Sequence, residues 1–183
     1  LYLVRDAEAA AIEQFVADGG HAVVTFFSGI VDEDDRVRLG GYPGAFRDML
    51  GVVTEEFHPL LPGETVTLDS GATASLWTEH LRTVTAKAVA HHVDGPLPGV
   101  PAITRNEHGH GTAWYVATAL DATHAAELVC EVATHAGVTP MPAAGPQVEV
   151  VRRAHDGGAS YLFVINHSDD VVEVPVPGHE LTQ

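Results

Sequence analysis

The succession of an amphipathic helix, a double glycine and a short apolar strand over residues 6–27 is the strongest constraint on the fold of this chain. Asp6 is suited to cap a helix that carries Ala9, Ile12, Phe15 and Val16 on one face, and Gly19-Gly20 supply a left-handed stop. His21 to Phe27 is then apolar, β-branched and aromatic, and short enough to be a buried strand. Helix, glycine turn and strand make half of a βαβ unit, which predicts an α/β class. Leu1 to Val4 reads as the end of a preceding strand or its exit loop.

Directly after this strand, Phe26 to Arg47 runs into an acidic loop and then a glycine-rich turn that opens a short helix. Pro43 sits near the first turn of that helix, which continues through Ala45, Phe46, Met49 and Leu50 and stops at Gly51. Val52 to Phe57, Glu64 to Leu68, Thr73 to Thr78, Thr85 to Val93 and Pro101 to Arg105 form a β-rich run, interrupted by the Pro59 to Gly63 turn. Asn106 to Gly111 is a turn cluster before the apolar strand Thr112 to Ala117, a hairpin pattern. A helix is expected from about Asp121 to Ala136, with Ala125, Leu128, Val129, Val132 and Ala136 on one face and Gly137 as its stop.

Three prolines, Pro140, Pro142 and Pro146, then make residues 139–146 a linker, because such a density sustains neither regular structure. The domain division expected is therefore 1–138, a linker over 139–146, and 147–183. In the last part Val148 to Ala154, Tyr161 to Asn166 and Val171 to Val176 read as an antiparallel meander of three short strands.

The formal net charge of -16 argues against nucleic-acid binding and against an anionic membrane as partner, since both require a basic surface. The longest apolar runs have a strand's length and fall far short of the roughly 20 residues that span a bilayer. One cysteine, Cys130, permits neither an internal disulfide nor a cysteine-based zinc site, and a reducing, cytoplasmic setting is expected. The abrupt start at Leu1-Tyr2-Leu3 reads as that of a fragment of something longer.

Several residue groups invite chemistry and fall short of it. Asp32, Glu33, Asp34 and Asp35 lack the alternating ligand spacing, central glycine and distal glutamate of a calcium loop. Ser28 follows a buried strand, where a nucleophile elbow would lie, but Phe26 stands where the elbow needs glycine. Cys130 falls within the last helix, beside its apolar face, as a half-buried inert thiol. Among the twelve histidines, His91 and His92 point to opposite faces of a strand, and His108 and His110 have no third ligand nearby in sequence. Trp77-Thr78-Glu79-His80 is a sugar-platform candidate whose simpler reading is a tryptophan packed at a strand end. No pair of facing carboxylates suited to glycoside hydrolysis is evident. Two alternatives stay open: an amidotransferase-like or hydrolase-like enzyme using Ser28 or Cys130, and a carbohydrate-binding module using Trp77 and Trp114.

The segment Phe26 to Arg47 resembles the middle domain of glycoside hydrolase family 42 β-galactosidases. The likeness continues in order through Leu60 to Glu64, Leu76 to Leu81, Gly109 to Thr118 and Tyr161 to His167, and so covers nearly the whole chain. The resemblance implies a class I glutamine amidotransferase-like, flavodoxin-like sheet flanked by helices, serving as a trimerisation domain, followed by a small antiparallel β domain. It further implies a TIM barrel upstream of Leu1 that carries both catalytic glutamates and cleaves terminal β-D-galactosides with retention. Neither glutamate maps onto this chain, so no catalytic residue, cofactor or metal ligand is expected in it. The partners implied are two further copies in a homotrimer and the catalytic barrels of its own and a neighbouring subunit. The loop Ile30 to Gly44, by its length, charge and glycines, is the expected subunit contact, with Asp32, Asp34, Arg36 and Tyr42 as interface candidates. Further βα units upstream would complete the sheet, which otherwise has an exposed edge.

Overall fold

In the computed structural model, residues 1–138, 145 and 147–174 are described. The first helix, α1 (Asp6–Ala17), starts one residue earlier than its cap pattern suggests: Arg5 occupies the cap position and its backbone N–H donates to Glu8 at 3.1 Å. Asp6 thereby becomes the first helical residue, where its charge still favours the positive end of the helix. Ala9 and Val16 are buried, whereas Phe15 is exposed and lies over Gly20. Strand β1 (His21–Thr25) follows as expected but ends two residues early, because Phe27 takes a left-handed conformation with φ 55°.

Helix α2 (Arg47–Leu50) is a single turn ended by Gly51 at φ 64°, and Pro43 precedes it in a turn rather than opening it. The β-rich run resolves into β2 (Val52–Pro59), β3 (Thr65–Thr67), β4 (Thr73–Ser75), β5 (Trp77–Thr83), β6 (Lys87–His91), β7 (Pro101–His108), β8 (Gly111–Val116) and β9 (Ala119–Leu120). The single strand expected over Thr73 to Thr78 is two, since Leu76 sits at φ 68° between β4 and β5. Helix α3 (Ala122–His135) is capped by Asp121, whose carboxylate accepts from the N–H groups of Thr123 and His124.

The main sheet has the order β1-β8-β7-β6, in which β1 and β8 are parallel and the other pairs antiparallel. Two smaller sheets accompany it, β2-β5 and β3-β4-β9, both antiparallel. The architecture is thus mixed α/β with small sheets, and among the described residues its main sheet holds one parallel strand pair, β1-β8. Strand β8 is buried on both faces and its alternation divides the core. Ala113, Tyr115 and Ala117 face a cluster with Val16, Met49, Leu50 and Val52 from the α1 and α2 side, whereas Trp114 and Val116 face Leu128 and Val132 of α3. Of the apolar face expected on α3, only Leu128 and Val132 are buried; Val129 is exposed, and so is Cys130, contrary to its expected half-burial.

The chain divides into two compact units, Leu1–Ala136 and Gly137–Gln183. In the second, β10 (Val148–Ala154) and β11 (Ser160–Asn166) pair as an antiparallel hairpin. The third strand expected over Val171 to Val176 is not formed at residues 171–174, and its end lies outside the described residues. So does the expected linker, apart from Gly145. Among the described residues no helix is long and apolar enough to cross a membrane.

Candidate functional site

The acidic loop is a small hairpin of its own. Val31 and Val37 form an antiparallel bridge, and Asp32 organises the turn between them. Its carboxylate oxygen accepts from the N–H groups of Asp34 at 2.9 Å and Arg36 at 3.0 Å, and its backbone N–H donates to the Arg36 carbonyl. The Arg36 N–H holds the Asp32 carboxyl below the usual carboxylate range. Asp32 is therefore a turn-forming residue, while Asp34 and Arg36 form an exposed ion pair at 2.7 Å beside it. The base of the hairpin is tied to α1 through Arg38, which donates to the Val4 carbonyl and pairs with Asp6 at 2.7 Å. Arg47 in turn donates to the Gly40 and Gly41 carbonyls. With these internal ties the loop is shaped without a partner, yet it leaves Val37 exposed and Leu39 88 % exposed.

Tyr42, the fourth interface candidate, belongs to a different feature. It bridges Thr54 and its ring lies 4.7 Å from that of Phe57. Phe57 stands 5.4 Å from Trp77 and 5.3 Å from Phe27, and Phe27 stacks on Tyr2 at 5.4 Å. The structure thus joins Tyr42 to an aromatic face built by β2, β5, the end of β1 and the first residues of the chain.

Beneath this face lies Glu79, which is fully buried. Its Oε1 accepts from the Phe27 N–H and the Trp77 indole N–H, both at 3.0 Å; its Oε2 accepts from the Thr54 hydroxyl at 3.0 Å and the Tyr115 hydroxyl at 2.6 Å. Four donors fill the acceptor sites of a carboxylate. Burial nonetheless outweighs them and pushes the Glu79 carboxyl up; burial, followed by the Glu79 charge, pushes the Tyr115 phenol well up too. With every lone-pair direction occupied by the protein's own donors, Glu79 is a keystone of the aromatic face and has no site left for a substrate proton.

The sequence places Glu79 in the Trp77 to His80 sugar-platform candidate, and the structure turns it instead into a buried acceptor for four protein donors. A usable signal was its parity with Leu81, since residues two apart on a strand share a face.

The remaining candidates are not brought together. Ser28 is buried, and its hydroxyl accepts from the Leu1 nitrogen at 2.9 Å rather than donating to an imidazole. Cys130 lies exposed on α3. Trp114, offered as a sugar platform, is 1 % exposed inside the core and cannot stack on a ligand from solvent; Trp77 is half-buried under the aromatic face. His91 pairs with Asp69 at 3.0 Å, and His108 with Glu13 at 3.3 Å. His92 is buried, its ring nitrogens find no hydrogen-bond partner among the described residues, and burial pushes its imidazole down. Among the described residues, no three His, Cys, Asp or Glu side chains converge as a metal site would require.

Comparison with known proteins bears on both units. The family model described as β-galactosidase trimerisation domain matches residues 1–139, and that described as β-galactosidase C-terminal domain matches residues 147–181. A β-galactosidase of Arthrobacter sp is 45 % identical over 99 % of this chain and 26 % of its own length. One from Geobacillus kaustophilus is 38 % identical over 100 % of this chain and 28 % of its own. The crystal structure of the β-galactosidase from Bacillus circulans sp. alkalophilus superposes with a TM-score of 0.86 at 37 % identity, covering 93 % of this chain and 26 % of that one. The chain thus spans about a quarter of the length of the relatives it matches.

Proposed function

From the premise that this chain belongs to the glycoside hydrolase family 42 β-galactosidases, as the counterpart of their non-catalytic trimerisation and C-terminal domains, we propose that it is the assembly portion of a longer β-galactosidase. Residues 1–138 act as the trimerisation domain, 139–146 as a linker and 147–183 as the C-terminal β domain. Three copies close a cytoplasmic ring through heterologous contacts, in which one patch of each subunit meets a different patch of the next. Hydrolysis of terminal β-D-galactosides, with retention, takes place in a barrel that precedes these residues. The observation that carries this reading is the match of residues 1–139 to a trimerisation domain. It is supported by Glu79, the one buried carboxylate among the described residues, whose four hydrogen bonds leave it unable to serve in a hydrolytic pair.

The finer fold reading is part of the same proposal. Strand β1 stands at the edge of the main sheet and runs parallel to β8. Preceding βα units would add further parallel strands at that edge and complete a flavodoxin-like sheet. The exposed single thiol of Cys130 supports a reducing, cytoplasmic location.

Within this reading the Ile30 to Gly44 loop contacts the neighbouring subunit. It is pre-shaped by its own hydrogen bonds, so little ordering cost opposes association, and it presents Leu39 with the Asp34–Arg36 pair outward. The test replaces Asp34 and Tyr42 by alanine in the full-length polypeptide. Weakened trimer formation or reduced turnover of a galactoside is expected. Unchanged mass and unchanged turnover in both variants would eliminate this loop as the contact.

A further inference from the structure

A formal charge of -16 means that carboxylates are in excess, and most arginines of the first unit take one. Arg5, Arg36, Arg38 and Arg82 each hold a carboxylate oxygen within 3.2 Å. Two cations on neighbouring strands of the main sheet depart from this pattern. Lys87, the only lysine of the chain, is paired with no carboxylate among the described residues, and Arg105 reaches Glu107 only at 3.5 Å. The two lie directly opposite each other across β6 and β7, so their side chains share one face, where like charges are destabilising. The Arg105 guanidinium stands 5.8 Å from the centre of the Trp114 ring, a cation–π contact that opposes its swinging away.

The pair borders a hollow of about 380 Å³, lined also by Thr85, Val89, Asn106 and Glu107. Its chemistry is lopsided. The Lys87 ammonium, the Arg105 guanidinium and the Thr85 hydroxyl are all donors. Asn106, 4 % exposed, gives one amide N–H to the Met49 carbonyl at 2.8 Å and keeps the second without an acceptor among the described residues. Thr85 and Asn106 both abut Gly51, so the same glycine seats them together. Against these donors stands one carboxylate, that of the exposed Glu107. A hollow rich in donors and poor in acceptors complements a ligand that only accepts, and the two opposed cations require that ligand to be anionic. The charge of the whole chain repels anions at long range, so direct contacts must hold one, which favours several acceptor oxygens over a simple halide.

We propose that Thr85, Lys87, Arg105 and Asn106 form a binding site for a small oxyanion, a phosphate or a carboxylate, which bridges the opposed Lys87 and Arg105. Arg105 offers the guanidinium fork to two oxygens, Lys87 adds a point charge, and Thr85 with Asn106 fixes the orientation. A bound oxyanion relieves the like-charge opposition and ties β6 to β7. No residue of the Ile30 to Gly44 loop lines the hollow, and the site does not depend on the assembly reading.

Calorimetric titration of the full-length protein at fixed ionic strength, with inorganic phosphate and separately with succinate, tests it. Saturable binding at millimolar anion is expected, weakened about tenfold or more in Lys87→Gln, as the loss of one charge-assisted hydrogen bond implies. Lys87 is exposed, so this variant keeps the fold, which circular dichroism checks. Glu107→Gln relieves Arg105 of its competing carboxylate and should bind the anion more tightly. Arg82→Gln makes the same change of net charge as Lys87→Gln outside the hollow and should leave the affinity unchanged. Heat from phosphate alone identifies a phosphate site, and heat from succinate alone a carboxylate site; either supports the proposal. No saturable heat with either anion, unchanged affinity in Lys87→Gln or Glu107→Gln, or equal weakening in Lys87→Gln and Arg82→Gln would overturn it. The solution mass of the same samples reports on assembly separately, so an assembled protein that binds no anion overturns this inference alone.

Discussion

Replacing Glu79 by leucine tests how the aromatic face is held. Leucine has a similar volume but accepts no hydrogen bond, so the four donors aimed at the carboxylate lose their partner. The Trp77 indole and the Phe27 N–H lie near the surface and can turn to water; Thr54 and Tyr115 are fully buried and cannot. At about 1–3 kcal/mol for each orphaned buried donor, those two contribute about 2–6 kcal/mol. The relief of a buried charge acts in the opposite direction, so a loss of about 3 kcal/mol in unfolding free energy is expected. Glu79→Gln retains one accepting oxygen, and with that oxygen towards Thr54 and Tyr115 only the two near-surface donors are mismatched, for a loss of about 1–2 kcal/mol. Urea unfolding followed by tryptophan fluorescence and far-UV circular dichroism measures both. A leucine variant within about 0.5 kcal/mol of wild type, the range of an ordinary surface substitution, or a glutamine variant less stable than the leucine one, would refute the keystone role. The raised carboxyl sets the pH sign as well. A folded pKa above the unfolded one gives a contribution that is fully present below about 4.3 and lost as pH rises through the folded pKa.

Other outcomes follow from single sites. Burial pushes His92 down, so below about 6.5 the unfolded chain takes a proton that the folded one resists, and stability falls as pH drops from 7 towards 5. Urea midpoints at those two pH values should differ less in His92→Leu than in wild type; equal differences would remove His92 from the account. Gly51 holds a left-handed turn after α2, and a Cβ there would overlap the Thr85 hydroxyl and lie 2.7 Å from the Asn106 side chain. Gly51→Ala should therefore lower unfolding free energy by more than about 1 kcal/mol, read from the same denaturation curves.

Much of the first unit was legible because its signals are local. The glycine stop after α1, the turn within Asn106 to Gly111, which narrows to Gly109-His110 because β7 runs on to His108, and the start of α3 at about Asp121 each depend on neighbours a few residues away. Where the reading failed, the cause was tertiary. Leucine and phenylalanine carry no left-handed preference, so the breaks at Leu76 and Phe27 could not be foreseen from residue type. The burial of Glu79 depends on Thr54 and Tyr115, which are 25 and 36 residues distant. Val129 belongs to the apolar period of α3 and Cys130 lies beside it, yet only the stripe through Leu128 and Val132 meets the sheet. Of the interface candidates, Asp32 reads differently once its carboxylate is seen to cap its own turn, a duty that the acidic run concealed.

The central claim is that these residues carry assembly contacts, and the most direct measurement is the solution mass of the 183-residue chain by light scattering during size exclusion. The account predicts a single species near three times the chain mass of 19.3 kDa. A folded species at 19.3 kDa, with circular dichroism showing the mixed α/β content intact, would contradict it.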